Sequence, residues 1–262
     1  MKSLPIYQVD AFTTKLFGGN PAAVVPLENW LENHVMQQIA MENNLAETAF
    51  IVRETQGYRI RWFTPAVEVD LCGHATLASA FVFFNELGHN EESISFNSRS
   101  GLLTVTKNGN ELTLDFPADE LAEIPLTVDI TSCFNEKPIA AFKGKTDFMI
   151  VFSNEEEIAR MIPDIAKINA LVARGVIVTA KGNEADFVSR FFAPQSGINE
   201  DPVTGSAHTS LTPYWSKQLG KKTMKAVQLS ARRGDLTCTD NGNRVQISGE
   251  GRLYLKGQIQ VE

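Results

Sequence analysis

Leu71-Cys72-Gly73-His74-Ala75-Thr76 runs into Leu77-Ala78-Ser79-Ala80-Phe81-Val82-Phe83-Phe84-Asn85-Glu86-Leu87 and stops at Gly88. A polar, glycine-containing turn thus feeds a helix whose apolar character is broken only by Ser79 and by Asn85-Glu86. A helix that is apolar almost all round has no face to give to water, so the rest of its domain must wrap it. Its N-terminus, with unpaired N–H groups and the positive end of the helix dipole, then points into a sheltered place suited to an anion.

The same layout occurs a second time. Arg61-Trp62-Phe63-Thr64-Pro65 matches Arg190-Phe191-Phe192-Ala193-Pro194, each an R-x-F-x-P strand end. An acid-bearing loop follows in both places, with Glu68 and Asp70 in the first and Glu200 and Asp201 in the second. Next come Gly73-His74-Ala75-Thr76 and Gly205-Ser206-Ala207-His208, and Gly73 to Gly88 and Gly205 to Gly220 both span 15 positions. Beyond the helices, Ser98-Arg99-Ser100-Gly101 parallels Ala231-Arg232-Arg233-Gly234, and Asn108-Gly109-Asn110 parallels Asn241-Gly242-Asn243. Chance would not hold register through a helix and a hairpin. The chain is expected to be two similar α/β halves, each an antiparallel set of strands around one buried helix, with a ligand in the crevice between them. Pro213 is expected to kink the second helix or to mark a later start.

Around these landmarks, strands are expected at Ile6–Phe12, Ala22–Leu27, Ala46–Val52, Tyr58–Phe63, Ile94–Asn97, Leu102–Lys107 and Glu111–Phe116. An amphipathic helix is expected over Leu31–Met41. Asn108-Gly109 reads as the centre of a type I′ hairpin turn. The carboxylate-rich stretch Pro117–Pro125 reads as a linker, giving domains 1–117 and 118–262, with the C-terminal strand able to pack back on the first.

Composition narrows the function classes. The 262 residues carry a net charge of -7 with no basic cluster, which argues against a nucleic-acid face. Three widely spaced cysteines, Cys72, Cys133 and Cys238, form neither a disulfide framework nor a zinc pattern, and a reducing compartment fits. The N-terminus lacks the layout of a secretory signal and no run reaches the length of a membrane span, so a cytoplasmic location is expected.

Gly73 and Gly205 would let a ligand approach the backbone, although each alone is explained by its turn. Beside them stand Cys72 and His74 in the first half and Asp201, Thr204 and Ser206 in the second. His74 can bind or relay a proton near neutrality, and its counterpart in the repeat is another hydrogen-bonding residue, Ser206. His208 reads as structural. Glu47 shares a strand face with Ala49 and Ile51, where desolvation would raise its pKa and suit it to acid/base work. By pattern alone, an exposed strand-end Glu is the better reading.

Val9-Asp10-Ala11-Phe12, Gly19-Asn20-Pro21-Ala22-Ala23-Val24, Asn44-Leu45-Ala46-Glu47-Thr48-Ala49-Phe50, Leu71 to Thr76 and Asp201-Pro202-Val203-Thr204-Gly205-Ser206-Ala207, taken together and in this order, resemble the phenazine-biosynthesis PhzF-like family. The resemblance implies an α/β (α+β) protein with two pseudo-twofold-related domains of diaminopimelate-epimerase-like fold, each a barrel-like, mostly antiparallel sheet around a central helix. It also implies an isomerase that needs no metal or organic cofactor. The family's catalytic carboxylate falls on Glu47, which reverses the pattern reading, and its other site residues fall on His74, Asp201 and Ser206, with Gly73 and Gly205 at the helix starts. Glu47 would move a proton between carbons of a small, carboxylate-bearing cyclic substrate, with Cys72 and Thr204 beside it. Related racemases use two thiols. Here Cys72 matches the first thiol position but Thr204 stands at the second, and the stretch at Arg174-Gly175 has no acid to match Glu47. The alternatives are an amino-acid racemase or epimerase using Cys72, and a non-catalytic binding protein. The expected partners are a small-molecule carboxylate and, as a homodimer, a second copy of the chain.

Overall fold

The computed structural model describes residues 1–262, which divide into two compact units: Met1–Asp115 with Ser248–Glu262, and Phe116–Ile247. The first unit contains β1 (Lys2–Ala11), β2 (Asn20–Leu27), α1 (Asn33–Asn43), β3 (Glu47–Arg53), β4 (Tyr58–Phe63), β5 (Glu68–Val69), α2 (Gly73–Asn85), β6 (Ser93–Ser98) and β7 (Gly101–Asn108), then enters β8 (Glu111–Pro117). Strands β2 and β3 are parallel, β3 and β4 antiparallel, and β4 and β6 parallel across the α2 connection. Strands β6, β7 and β8 form an antiparallel meander. A long C-terminal strand (Gly251–Val261) lies antiparallel to β1 from Lys2–Val261 to Ala11–Gly251.

The second unit repeats the plan. It holds β9 (Ala122–Ile124), α3 (Val128–Thr131), β10 (Ala140–Lys143), β11 (Asp147–Val151), α4 (Glu155–Arg160), α5 (Ile165–Ala170), β12 (Gly175–Lys181), β13 (Phe187–Ala193), β14 (Ile198–Asp201), α6 (Gly205–Leu219), β15 (Thr223–Gln228), β16 (Gly234–Asp240) and β17 (Arg244–Gly249). Strands β11 and β12 are parallel, β12 and β13 antiparallel, and β13 and β15 parallel across α6. The stretch read as a linker is in part a strand, since β9 pairs with β10.

Helix α2 is buried as its apolar pattern requires, whereas α6, less uniformly apolar, buries eight of its 15 residues. In α2, ten residues from His74 to Phe84 are buried, against β1, β2, β3, β7 and the C-terminal strand. Burial of Leu77, Val82, Phe83 and Phe84 stabilises by about 1.5–3 kcal/mol each. Its hydroxyls are satisfied inside the helix: Thr76 Oγ1 donates to Cys72 O and Ser79 Oγ to Ala75 O, both at 2.6 Å.

Helix α6 starts at Gly205 and runs through Pro213 to Leu219, so Pro213 does not delay it. Proline has no N–H for the carbonyl four residues back. Here that carbonyl, Thr209 O, accepts from the backbone N–H of Asp119 at 3.1 Å, and the Asp119 carboxylate accepts from Ser210 Oγ at 2.7 Å. The linker region therefore supplies the bond that the helix lacks.

The R-x-F-x-P motif has a mechanical role in each unit. Arg61 forks onto Glu68 (Nε–Oε1 and Nη2–Oε2, both 2.7 Å) and lies over Phe63, pinning the loop that enters α2. Arg190 forks onto Glu200 (2.7 and 3.0 Å) and lies over Phe192 before α6. Bidentate pairing holds the Glu68 carboxyl below its ordinary range, with the Arg61 hydrogen bond as the largest cause.

The hairpin between β7 and β8 differs from expectation. Asn108 is paired with Glu111 and belongs to the strand, leaving Gly109-Asn110 as the two-residue loop. Gly109 alone has positive φ (+61°), which fits a type II′ turn with Gly first, not a type I′ turn centred on Asn108-Gly109.

Candidate active site

In the first unit, Cys72 is the residue before α2 and has extended backbone (φ −146°, ψ 109°), Gly73 opens the helix, and His74 is its second residue. Glu47 is the first residue of β3. Its side chain is 12% exposed and His74's is 6%, and Glu47 Oε2 lies 3.1 Å from His74 Nε2. That approach is an ion-pair distance without hydrogen-bond alignment, so both buried atoms keep hydrogen-bonding capacity. On the other edge of the ring, His74 Nδ1 lies 3.1 Å from Asn20 Nδ2 and 3.6 Å from Cys72 Sγ.

Asn20 was not among the residues singled out from sequence, though Gly19 before it was a signal. Gly19 has φ +61°, and a Cβ there would lie 2.1 Å from Ala11 O, so only glycine brings the chain into β2 at this point. That turn delivers Asn20 to the imidazole.

Burial opposes a charge on His74, yet the adjoining Cys72 and Glu47, as anions, outweigh it and raise its pKa well above the ordinary value. Burial foremost, then Glu47, pushes the Cys72 thiol up to about 11, so near neutrality it is a thiol and the carboxylate is the anion that favours the imidazolium. Donor atoms of Glu47, Cys72 and His74 lie within 4.8 Å of one another, close enough to face a single metal ion. The thiol, however, addresses Nδ1 and the carboxylate Nε2, so one ion could not take all three without turning the ring.

In the second unit, Thr204 occupies the place of Cys72, extended (φ −113°, ψ 97°) just before Gly205 opens α6, and Ser206 occupies that of His74. Thr204 Oγ1 donates to Asp201 Oδ2 at 2.5 Å. Gln228 braces this corner: its Oε1 accepts from Thr204 N (2.9 Å) and its Nε2 donates to Asp201 O (2.7 Å). Asp201, Thr204, Gly205 and Ser206 are thus gathered at one helix start, as Glu47, Cys72, Gly73 and His74 are at the other. His208 lies a turn deeper, fully buried, with Nδ1–H donating to Thr204 O at 2.8 Å.

Sequence reasoning also passed over Arg174. It forks onto buried Asp147 (Nε–Oδ1 2.9 Å, with Nη2 on Oδ2), and Nη2 also donates to Ser206 Oγ at 3.0 Å. The available signal was the repeat extended to strand starts. Ala22 of β2 sits opposite Glu47 in parallel register, and Asp147 of β11 sits opposite Gly175, which aligns Ala46-Glu47 with Arg174-Gly175.

Comparison with known proteins bears on the family and the fold. The family model described as phenazine biosynthesis-like protein matches residues 9–257. An uncharacterized isomerase of Pseudomonas aeruginosa is 50% identical over 98% of this chain and 99% of its own, and one of Halalkalibacterium halodurans is 41% identical over 99% of each. A crystal structure of a phenazine biosynthesis protein of the PhzF family from Enterococcus faecalis superposes with a TM-score of 0.97 at 50% identity, covering 99% of this chain and 100% of that one. A hydroxyproline epimerase from Agrobacterium vitis shares the fold alone, at a TM-score of 0.64, 9% identity, and 99% and 91% coverage. The fold is the diaminopimelate-epimerase-like one. No helix is long and apolar enough to cross a membrane.

Proposed function

The chain belongs to the phenazine biosynthesis-like family and is an isomerase, and from that premise we propose that Glu47 moves a proton between carbons of a small, cyclic, carboxylate-bearing substrate. The observation that carries the reading is the Glu47–His74 pair, buried at the start of α2 with hydrogen-bonding capacity unspent on both facing atoms. In the proposed step the Glu47 carboxylate takes a proton from a ring carbon and the C–H electron pair enters the conjugated system. The resulting carboxylic acid returns a proton to a second carbon, so no net charge or redox equivalent is exchanged. A cationic His74 beside Glu47 steadies the carboxylate before abstraction, and its remaining capacity serves an oxygen on which charge develops.

Glu47 has no acidic counterpart in the second unit, where the aligned pair is Arg174-Gly175. This supports one base that both removes and returns the proton. Asp201, Thr204 and Ser206, at the start of α6, are the groups proposed to hold polar substituents of a substrate. A two-thiol racemase mechanism is not favoured, because Thr204 stands where the second thiol would be.

The test is solvent-deuterium incorporation across a panel of cyclic unsaturated carboxylates, comparing the native chain with Glu47→Gln. The native chain should exchange carbon-bound hydrogen on at least one of them, and the variant should fold normally and lose about 10²–10⁴-fold of that rate. Undiminished exchange in Glu47→Gln would sink the proposal.

A further inference from the structure

In the repeat, the second residue of the central helix meets a charged side chain from the start of a parallel strand, and the charge is opposite in the two units. His74 meets Glu47. Ser206 meets Arg174. We infer that Arg174, acting with Ser206, is the specificity-determining residue that selects a carboxylate on the substrate over a neutral group.

The hydrogen-bond inventory favours an anion. Arg174 offers five N–H donors; Nε and one N–H of Nη2 go to Asp147, and the other N–H of Nη2 goes to Ser206 Oγ. Nη1 has no partner within the chain, so its two N–H groups are open, and the side chain is 41% exposed. Because Ser206 Oγ accepts from Arg174, its own proton points elsewhere, and no acceptor for it is found in the chain. Three donors are therefore available around one spot, against a single remaining lone pair on Ser206 Oγ. A carboxylate satisfies such a set. A carboxamide offers the open Nη1 donors one oxygen where a carboxylate offers two and a charge, so it is held less well.

The guanidinium is fixed before anything binds. Its fork with Asp147, whose side chain is 5% exposed, sets its plane, the Phe191 ring supports it at 5.4 Å, and its backbone N–H donates to Thr146 O at 2.9 Å. Asp147 also neutralises the pair, and Asp201 and Asp119 stand near enough to act on the guanidinium. Selectivity then comes from directed donors and not from net charge, and it should vary little with ionic strength.

This inference rests on the reading of the substrate as a carboxylate but not on Glu47 as its base, so it is tested by binding without turnover. The probes are 2-aminobenzoate and its neutral counterpart 2-aminobenzamide, titrated calorimetrically into the full chain. The native chain should prefer the benzoate by at least about tenfold. Arg174→Met should bring the two affinities level by weakening the benzoate and leaving the benzamide unchanged. Arg174→Lys, which keeps charge but loses the fork, should fall between. Glu47→Gln should keep the native preference, so a failure of the proton-shuttle proposal reads out separately. A folded Arg174→Met chain with the native preference would overturn the inference, as would a native chain that binds neither probe or shows no preference. If Arg174→Met does not fold, native selectivity in a folded Arg174→Lys chain overturns it equally.

Discussion

Acidification should weaken the second unit through one residue, His208. Its ring is fully buried, with Nδ1–H on Thr204 O, Nε2 without a partner, and Phe187 alongside at 6.0 Å between centroids. Burial pushes its pKa down to about 4, and the Thr204 hydrogen bond opposes that only in part. In the unfolded chain the ring titrates near 6.5. Below that pH the unfolded chain takes up a proton that the folded unit refuses until about 4. The stabilisation is therefore complete above 6.5 and is lost as pH falls toward 4. The gap between 6.5 and about 4, at about 1.36 kcal/mol per pH step, sets a ceiling of about 3 kcal/mol, of which about 2 kcal/mol is gone by pH 5. Trp215 stacks on Phe187 at 5.8 Å and donates to Thr179 Oγ1, which makes its fluorescence a local reporter. Urea unfolding would be followed at Trp215 with Trp30 and Trp62 replaced by Phe, at pH 7 and pH 5, with His208 present and with His208→Gln. The loss between the two pH values should be larger by about 2 kcal/mol when His208 is present. Equal losses would refute the assignment of a neutral, buried imidazole.

Three further outcomes are expected. In ¹⁵N spectra above the titration of His74, Nδ1 should be the unprotonated nitrogen, because Asn20 Nδ2–H points at it; Asn20→Asp should keep Nδ1 protonated and move the titration to higher pH, and an unmoved titration would dismiss Asn20 as the tautomer-setting group. Cys72 should react with iodoacetamide at pH 8 some 10²–10³-fold more slowly than an ordinary exposed thiol, since burial pushes it up to about 11, and peptide mapping that finds it among the fast sites would contradict that. Gly234→Ala would place a Cβ 2.2 Å from Val203 Cγ2, immediately before Thr204, and should cost about 1–3 kcal/mol of stability and disturb the Thr204–Asp201 bond; an unchanged melting temperature would show that Val203 can yield.

The part of the fold that sequence reveals is the part with strong local grammar. The apolar run after Gly73, the R-x-F-x-P strand ends and the spaced glycines each impose a constraint within a few residues, and the repeat multiplied them. His74, Asp201 and Ser206 follow from the repeat and its two helix starts, whereas Glu47 is reached by family resemblance, since on pattern it looks like an exposed strand end. Three features were out of reach because they depend on register between distant strands or on backbone atoms. Asp119 completes α6 through its main-chain N–H, which no side-chain pattern records. Asn20 reaches His74 only because Gly19 turns the chain at a positive φ. Arg174-Gly175 is legible in sequence only as a place where an acid is missing, and the meeting of Arg174 with Ser206 follows from β12 pairing in parallel with β11.

The residues that differ between the repeats are those that matter for chemistry, and they differ in a consistent sense. Each unit keeps the Arg–Glu fork, the extended residue before the helix and the glycine at its start, all of which a folded corner requires. What changes is the group presented: a thiol and an imidazole against a carboxylate in one unit, two hydroxyls against a guanidinium and an Asp in the other. The first set contains groups suited to taking and returning a proton. In the second, serine, threonine and arginine are not so suited, and Asp201 is already engaged by Thr204. A racemase that works from two faces needs a proton-transfer group in each half. The proton-transfer groups here are concentrated in one unit and the fixed donors in the other, which is the asymmetry on which the proposal of Glu47 as a single base rests.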